Sequence, residues 1–191
     1  DAYKFTHALA AVCQARGVSF HYGETIEAIT ADGARISAVR TKERTFEADA
    51  YVLSLGSYSP LFLRPLGISL PVFPAKGYSI TVPVTGDNAA PKISLTDEEN
   101  KIVYSRLGDR MRVAGTAEFS GYDTVLDKAR AKSIVANAKA RFPGAGDFDQ
   151  AELWTGLRPL TPDGMPVVSA TRYANLFLDT GHGTLGWTMC A

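Results

Sequence analysis

The 191 residues are enough for one large domain or two small ones, and for a real core. Twenty basic residues cancel twenty acidic ones, and 46% of the chain is hydrophobic. This ordinary globular balance, without a basic stripe or aromatic-basic interleaving, argues against nucleic acid as a partner. No apolar run is long enough to span a bilayer, and the opening residues carry no signal-peptide pattern. Cys13 and Cys190 lie at opposite ends with no metal-type spacing, which favours a reducing compartment.

Asp1 falls directly at a helix, with no initiator Met, and reads as a cut made upstream. The spacing of Phe5, Leu9 and Val12 predicts an amphipathic helix from Tyr3 to Arg16, stopped by Gly17. Cys13 sits on its apolar side and is expected to be a buried free thiol. Val18 to Tyr22 reads as a short strand. Thr25 to Thr30 and Arg35 to Arg40 alternate around Ala31-Asp32-Gly33, a hairpin signal, and Thr45 to Ala48 adds a further short strand. Ala50 to Leu55 is continuously apolar and runs into Gly56-Ser57. Such a run fits a parallel strand buried on both faces.

Prolines at 60, 65, 71, 74 and 83 then mark a crossing segment. Tyr78 to Val84 alternates as a strand. Ile102 to Arg106 and Met111 to Phe119 form a hairpin around Leu107-Gly108-Asp109. Asp123 is expected to cap a long helix running to about Arg141, with Leu126, Ala129, Ile134 and Ala138 inward. Ala151 to Leu157 is a further strand, and Asn175 to Asp179 a last one. The expected class is α/β: the rear of a doubly wound, Rossmann-like domain over 1–75, an α+β domain of mixed or antiparallel sheet with one long helix over 76–157, and a return to the first domain over 158–191. No internal repeat and no low-complexity tract interrupts this order.

Chemistry concentrates in the last forty residues. Pro159 restricts Arg158 to extended geometry, and Pro162-Asp163-Gly164 turns just beyond it. Two readings stand for Arg158: a flat fork for a carboxylate, or a structural arginine paired with Asp163 or a carbonyl. Gly181-His182-Gly183-Thr184-Leu185-Gly186 follows a strand. Its glycines permit close approach to a ring or phosphate, and Thr184 is placed to cap a helix; an ordinary glycine turn is the competing reading. His182 either polarises a ligand or faces solvent. Tyr104 either lines substrate space or belongs to the core. Three histidines without matching carboxylates argue against a metal site, and no nucleophile elbow or carboxylate pair is present. The GxGxxG fingerprint is absent. Whatever redox chemistry occurs is therefore a cofactor's.

WTGLRPLTPDGMPVV followed by NLFLDTGHGTLGWTM resembles the carboxy-terminal portion of the bacterial D-amino-acid dehydrogenases, small-subunit type. These are FAD enzymes of the D-amino-acid oxidase and glycine oxidase superfamily. GVSFHYGETIEAI, ADAYVLSLGSYSP and FPAKGYSITVPV extend the resemblance along the chain. It implies oxidative deamination of a D-amino acid to a 2-oxo acid and ammonia, by hydride transfer to FAD, with electrons passing to a quinone. It implies that Arg158 holds the substrate carboxylate, with Tyr104 and His182 nearby. It places Ile26 near the adenine, Gly56 and Ser57 near the ribityl-pyrophosphate, and Gly181, His182, Gly183, Thr184, Leu185 and Gly186 around the flavin. It also implies a cytoplasmic enzyme, peripheral on the inner membrane, of which this chain lacks the amino-terminal strand–glycine loop–helix. Two rivals remain: a flavin amine oxidase acting on glycine or sarcosine, and a non-catalytic acid-binding fragment.

Overall fold

The computed structural model describes residues 1–85 and 89–190. In chain order the elements are α1 (Ala2–Ala15), β1 (Ile26–Asp32), β2 (Arg35–Thr41), β3 (Thr45–Phe46), β4 (Tyr51–Leu53), α2 (Ser59–Leu63), β5 (Phe73–Pro83), β6 (Leu95–Asp97), β7 (Ile102–Leu107), β8 (Arg110–Glu118), α3 (Lys128–Arg141), β9 (Glu152–Leu160), β10 (Val167–Ala170) and β11 (Leu176–Thr180). The chain divides into two compact units. One comprises 1–73 and 159–191, the other 74–158. The class is mixed α/β.

In the first unit β1, β2 and β3 form an antiparallel sheet, and β4 pairs in parallel with β11, which pairs antiparallel with β10. The hairpin expected around Asp32-Gly33 forms, with Asp32 opposite Arg35 and Gly33 at φ 56°. Ile36, Leu53, Leu63, Leu66, Tyr173, Leu176 and Leu178 make the core. Tyr51 and Asn175 join the two sheets, and Tyr51 OH donates to the Ser37 carbonyl at 3.1 Å. Asn175 Oδ1 accepts from the Ile36 N–H at 2.8 Å, and its Nδ2 donates to the Ile36 carbonyl at 2.9 Å. Its own carbonyl accepts from Tyr51 N–H at 2.8 Å.

Three expectations for this unit need correction. Val18–Tyr22 is not a strand: among the described residues no strand pairs with it. Strand β4 is not buried on both faces, because Val52 is 65% exposed. Helix α1 forms, with Asp1 Oδ1 accepting from Lys4 N–H, but it buries no residue. Phe5, Leu9 and Val12 remain exposed, Phe5 meets the Trp187 ring edge-on at 5.4 Å, and Cys13 is part-exposed rather than buried.

In the second unit the sheet order is β6-β7-β8-β5-β9. Tyr104 stands opposite Val113, and Val113 opposite Ile80, so these three share a face. Helix α3 covers that face with Ala131, Ile134 and Ala138, completing a core with Tyr78, Val82, Met111 and Phe148. The helix begins four residues later than the sequence suggests. Asp127 is its cap, accepting from Ala129 and Arg130 N–H. Asp123 is otherwise engaged, as described below. Arg141 at the helix end reaches Asp97 of β6 at 2.8 Å. Asn100 and Arg141 together hold the Asp97 carboxyl down to about 2.

Removing the Asn175 side chain leaves the Ile36 N–H and C=O unpaired in a buried place. Asn175→Ala should therefore lower unfolding free energy by about 1–3 kcal/mol per orphaned group, read by denaturant titration. An unchanged midpoint would show that water replaces the amide without loss.

Candidate functional site

The second unit carries two arginines on one face of its sheet. In β5, Gly77 and Ser79 alternate with Tyr78 and Ile80, so they lie on the face that α3 does not cover. Arg158 lies against that face. A Cβ built on Gly77 would stand 2.2 Å from Arg158 Nη1, so the guanidinium rests flat on the strand where no side chain intervenes. On the same face Arg112 Nη2 donates to Ser79 Oγ at 3.0 Å, and its guanidinium stacks over the Trp154 ring at 5.2 Å. The Trp154 indole in turn folds over Gly156. Among the described residues neither Arg158 nor Arg112 has a carboxylate within ion-pair distance. Asp163, the partner considered for Arg158, instead caps its own turn by accepting from Met165 N–H at 3.1 Å. Two half-buried guanidiniums on one face, neither paired with a carboxylate, make an electropositive surface suited to a small acid.

Behind that face sits a buried ammonium. Lys76, 2% exposed, reaches Glu118 at 2.6 Å, Asp123 at 2.9 Å and the Val125 carbonyl at 3.0 Å. Tyr78 OH donates to Glu118 at 2.8 Å, and Arg130 reaches the same carboxylate at 2.8 Å. The two carboxylates raise the Lys76 pKa. Lys76, then the Tyr78 hydroxyl, lowers that of Glu118; Lys76, then the Val125 N–H, lowers that of Asp123. This cluster ties β5 to β8 and to the segment before α3, directly beside Gly77. Sequence reading passed over Lys76, Gly77, Ser79, Arg112 and Trp154. A lysine inside an otherwise buried strand was the available signal, since a buried charge requires partners.

Tyr104 lies on the opposite face, under α3. It is 1% exposed, its OH donates to Asn137 Oδ1 at 2.6 Å, and its ring meets Phe142 edge-on. Burial raises its pKa, followed by the charge of Asp97. The core reading therefore holds for Tyr104. It cannot share a face with Arg158.

The first unit brings two glycine-bearing loops together. The parallel strands β4 and β11 lie side by side, and their carboxyl ends run into Gly56-Ser57 and into Gly181–Gly186. Thr180 Oγ1 donates to the Gly56 carbonyl at 3.2 Å and shares a hydrogen bond with Ser59 Oγ. Gly56 and Gly183, at φ 55° and 56°, pack beside Pro159, and the Gly183 N–H donates to the Pro159 carbonyl at 3.0 Å. Among the described residues Ser57 Oγ is buried without a hydrogen-bond partner. His182 Nε2 lies 3.4 Å from Asp179, and both line an open hollow of about 550 Å³ with Gly186. Thr184 and Leu185 are exposed. Thr184 caps no helix: residues 181–190 form turns, with Leu185 N–H bonded to the His182 carbonyl. Ile26 opens β1 opposite Thr41 and takes no part in this cluster of loops. In open α/β sheets the carboxyl ends of parallel strands are where ligands bind.

The whole chain, residues 1–191, matches the DAO family, described as FAD dependent oxidoreductases. The chain belongs to this family. It is 54% identical over 189 residues to a D-amino acid dehydrogenase of Paramagnetospirillum magneticum, and 56% identical over 189 residues to one of Rhizorhabdus wittichii. Each match covers 99% of this chain and 45% of the relative, so the chain spans under half the length of these curated relatives. Among solved structures, glycine oxidase from Geobacillus kaustophilus superposes with a TM-score of 0.79 at 24% identity, over 94% of this chain and 48% of that one. Iminodiacetate oxidase from Chelativorans gives a TM-score of 0.78 at 21% identity, over 93% of this chain and 48% of that one. These two likenesses establish the shared fold.

The Lys76 cluster sets a pH dependence. Glu118 and Asp123, with lowered folded-state pKa values, contribute stability above the unfolded carboxylate range of about 4, lost as pH falls through their depressed values. Lys76→Met removes the largest part of that contribution. The stability gap to wild type should be widest at neutral pH and should narrow below about pH 4, in melting curves collected as a pH series. A gap constant with pH would assign the loss to packing rather than charge.

Proposed function

We propose that this chain is the substrate-carboxylate-binding part, and a share of the cofactor-binding part, of an FAD-dependent D-amino-acid dehydrogenase. The observation that carries the reading is Arg158. It is a half-buried fork without a carboxylate partner among the described residues, in a chain more than half identical to proteins named D-amino acid dehydrogenase. The whole enzyme would oxidise a D-amino acid to the imino acid, which water converts to a 2-oxo acid and ammonia. FAD, when bound, supplies the acceptor for the α-hydrogen and its electron pair.

The chain's own residues bind and orient. Arg158 takes the carboxylate through two parallel N–H···O bonds, which fixes the direction of the Cα–H bond. Arg112 adds positive potential on the same face and favours the anionic substrate. The amine reacts in its neutral form, so no protein base is assigned.

The loops at the ends of β4 and β11 fit the cofactor. Ser57 Oγ, buried and without a partner among the described residues, calls for an acceptor or donor from outside the chain. Gly56 and Gly183, both at positive φ, bring backbone without side chains of their own to these strand ends, while Gly181 is buried against Thr161 and Val72. We assign Gly56 and Ser57 to the ribityl-pyrophosphate and Gly181 to Gly186, with His182, to the flavin. Ile26 at the start of β1 is assigned to the adenine side. The proposed electron acceptor is a quinone, reached from the cytoplasmic side of the inner membrane. Among the described residues no helix is long and apolar enough to cross a membrane.

The test is anaerobic bleaching of the flavin in the full-length protein by D-alanine, with L-alanine, glycine and sarcosine beside it. Bleaching by D-alanine alone is expected. Bleaching only by glycine or sarcosine would move the protein to the amine oxidases, and a flavin that none reduces would leave an acid-binding role. In the same assay Arg158→Ala should weaken substrate binding or turnover by about 2–5 kcal/mol, and Arg158→Lys should recover it only in part. Unchanged kinetics in Arg158→Ala would place the carboxylate elsewhere.

A further inference from the structure

Gly77 sits in the interior of a strand, where glycine ordinarily weakens the sheet. Its backbone gives no reason for it: Gly77 is not among the residues at positive φ, so any L residue could adopt its conformation. The reason is space. A Cβ at this position would stand 2.2 Å from Arg158 Nη1, 2.5 Å from Cζ and 2.8 Å from Nη2. All three distances are far inside van der Waals contact. The guanidinium occupies the volume that a side chain would fill.

We infer that Gly77 is a positioning residue for the Arg158 fork: by lacking a side chain it lets the guanidinium lie against β5, and so sets where a substrate carboxylate is held. The inference rests on the reading of Arg158 as the carboxylate-binding residue. Its own support is independent of any ligand. Both partners are fixed to the same framework, because Thr155 Oγ1, three residues before Arg158 on β9, donates to the Gly77 carbonyl at 2.9 Å. The buried Lys76 cluster anchors β5 at the preceding residue. The same face uses the device twice, since a Cβ on Gly156 would stand 2.4 Å from the Trp154 ring, which lies over it.

The clash at Gly77 is with the far end of a flexible side chain. A methyl there moves the fork and leaves the backbone in place. Gly146 is the contrasting case: its Cβ would stand 2.1 Å from the Pro83 carbonyl oxygen, and the backbone itself would have to yield. Gly77→Ala thus separates positioning from folding.

The experiment is a double-mutant cycle in the full-length holoenzyme, with Gly77→Ala, Arg158→Lys and the pair, measuring KM and kcat for D-alanine, flavin content and Tm. Gly77→Ala should raise KM on the order of ten- to a hundredfold, the scale for a misplaced binding group, with flavin content unchanged and Tm within about 2 °C of wild type. In the Arg158→Lys background the methyl should change KM less than about twofold, because a lysine ammonium has no planar fork to displace. An equal KM effect in both backgrounds, or none in the wild-type background, overturns the inference while leaving Arg158 in its role. Should Gly77→Ala melt well below wild type, coupling is read in Tm: rescue by Arg158→Lys supports the inference, and equal loss in both backgrounds overturns it. If Arg158→Lys leaves KM unchanged, the carboxylate reading fails and the inference fails with it.

Discussion

The charge-bearing face of the second unit depends on one buried ammonium. Lys76 lies inside strand β5 with almost no exposure, and an unpaired charge there would be very unfavourable. It is tolerated because Glu118, Asp123 and the Val125 carbonyl converge on it, from β8 and from the segment before α3. Those contacts fix β5 against β8 at the residue next to Gly77. On the opposite surface of the same stretch the Arg158 guanidinium rests on the bare backbone of Gly77. Two groups of charge thus stand back to back across one strand. The first is fully paired. The second, at Arg158 and Arg112, has no carboxylate partner among the described residues.

The first unit solves a different problem, the joining of two small sheets. Each has only three strands, the least that holds a core of its own. Asn175 satisfies both backbone groups of Ile36 with one amide, and its carbonyl receives the Tyr51 N–H, so β1–β2–β3 and β10–β11–β4 share a single hydrogen-bonded seam. With β4 and β11 held in parallel register, their loops emerge at the same end. Thr180 then ties one loop to the other through the Gly56 carbonyl. Parallel strands produce this convergence because their carboxyl ends point the same way. An antiparallel pair would have sent the two glycine loops to opposite ends.

Some of the sequence's expectations failed for reasons that are physical and local. Asp123 looked like a helix cap because it precedes a helical stretch, but the buried ammonium of Lys76 claims its carboxylate, and Asp127 caps instead. Tyr104 alternated correctly within its strand, yet alternation gives two faces without naming them. The helix α3 decides which face is core, and it covers Tyr104. Thr184 had the composition of a cap, but the turns of residues 181–190 give it no helix to cap. The apolar stripe of α1 was legible at helical spacing, whereas what packs on a stripe is not written in the stripe itself.

The sequence by itself determined the elements whose signals are local: the hairpin at Gly33, the hairpin at Gly108, the helix ending at Arg141, and the glycine loops after two apolar strands. It also singled out Arg158, because a proline on its carboxyl side restricts the backbone wherever the chain goes. Motif order along the chain carried the family, since a resemblance spread over many short segments needs no coordinates. Only the tertiary structure decided that Arg158 lies on Gly77 rather than on Asp163, that Arg112 shares its face, and that Lys76 is buried with two acids. These are contacts between residues 33 to 81 positions apart along the chain. Such pairings are set by strand order and register, and neither period nor propensity along one strand encodes the partner it will meet.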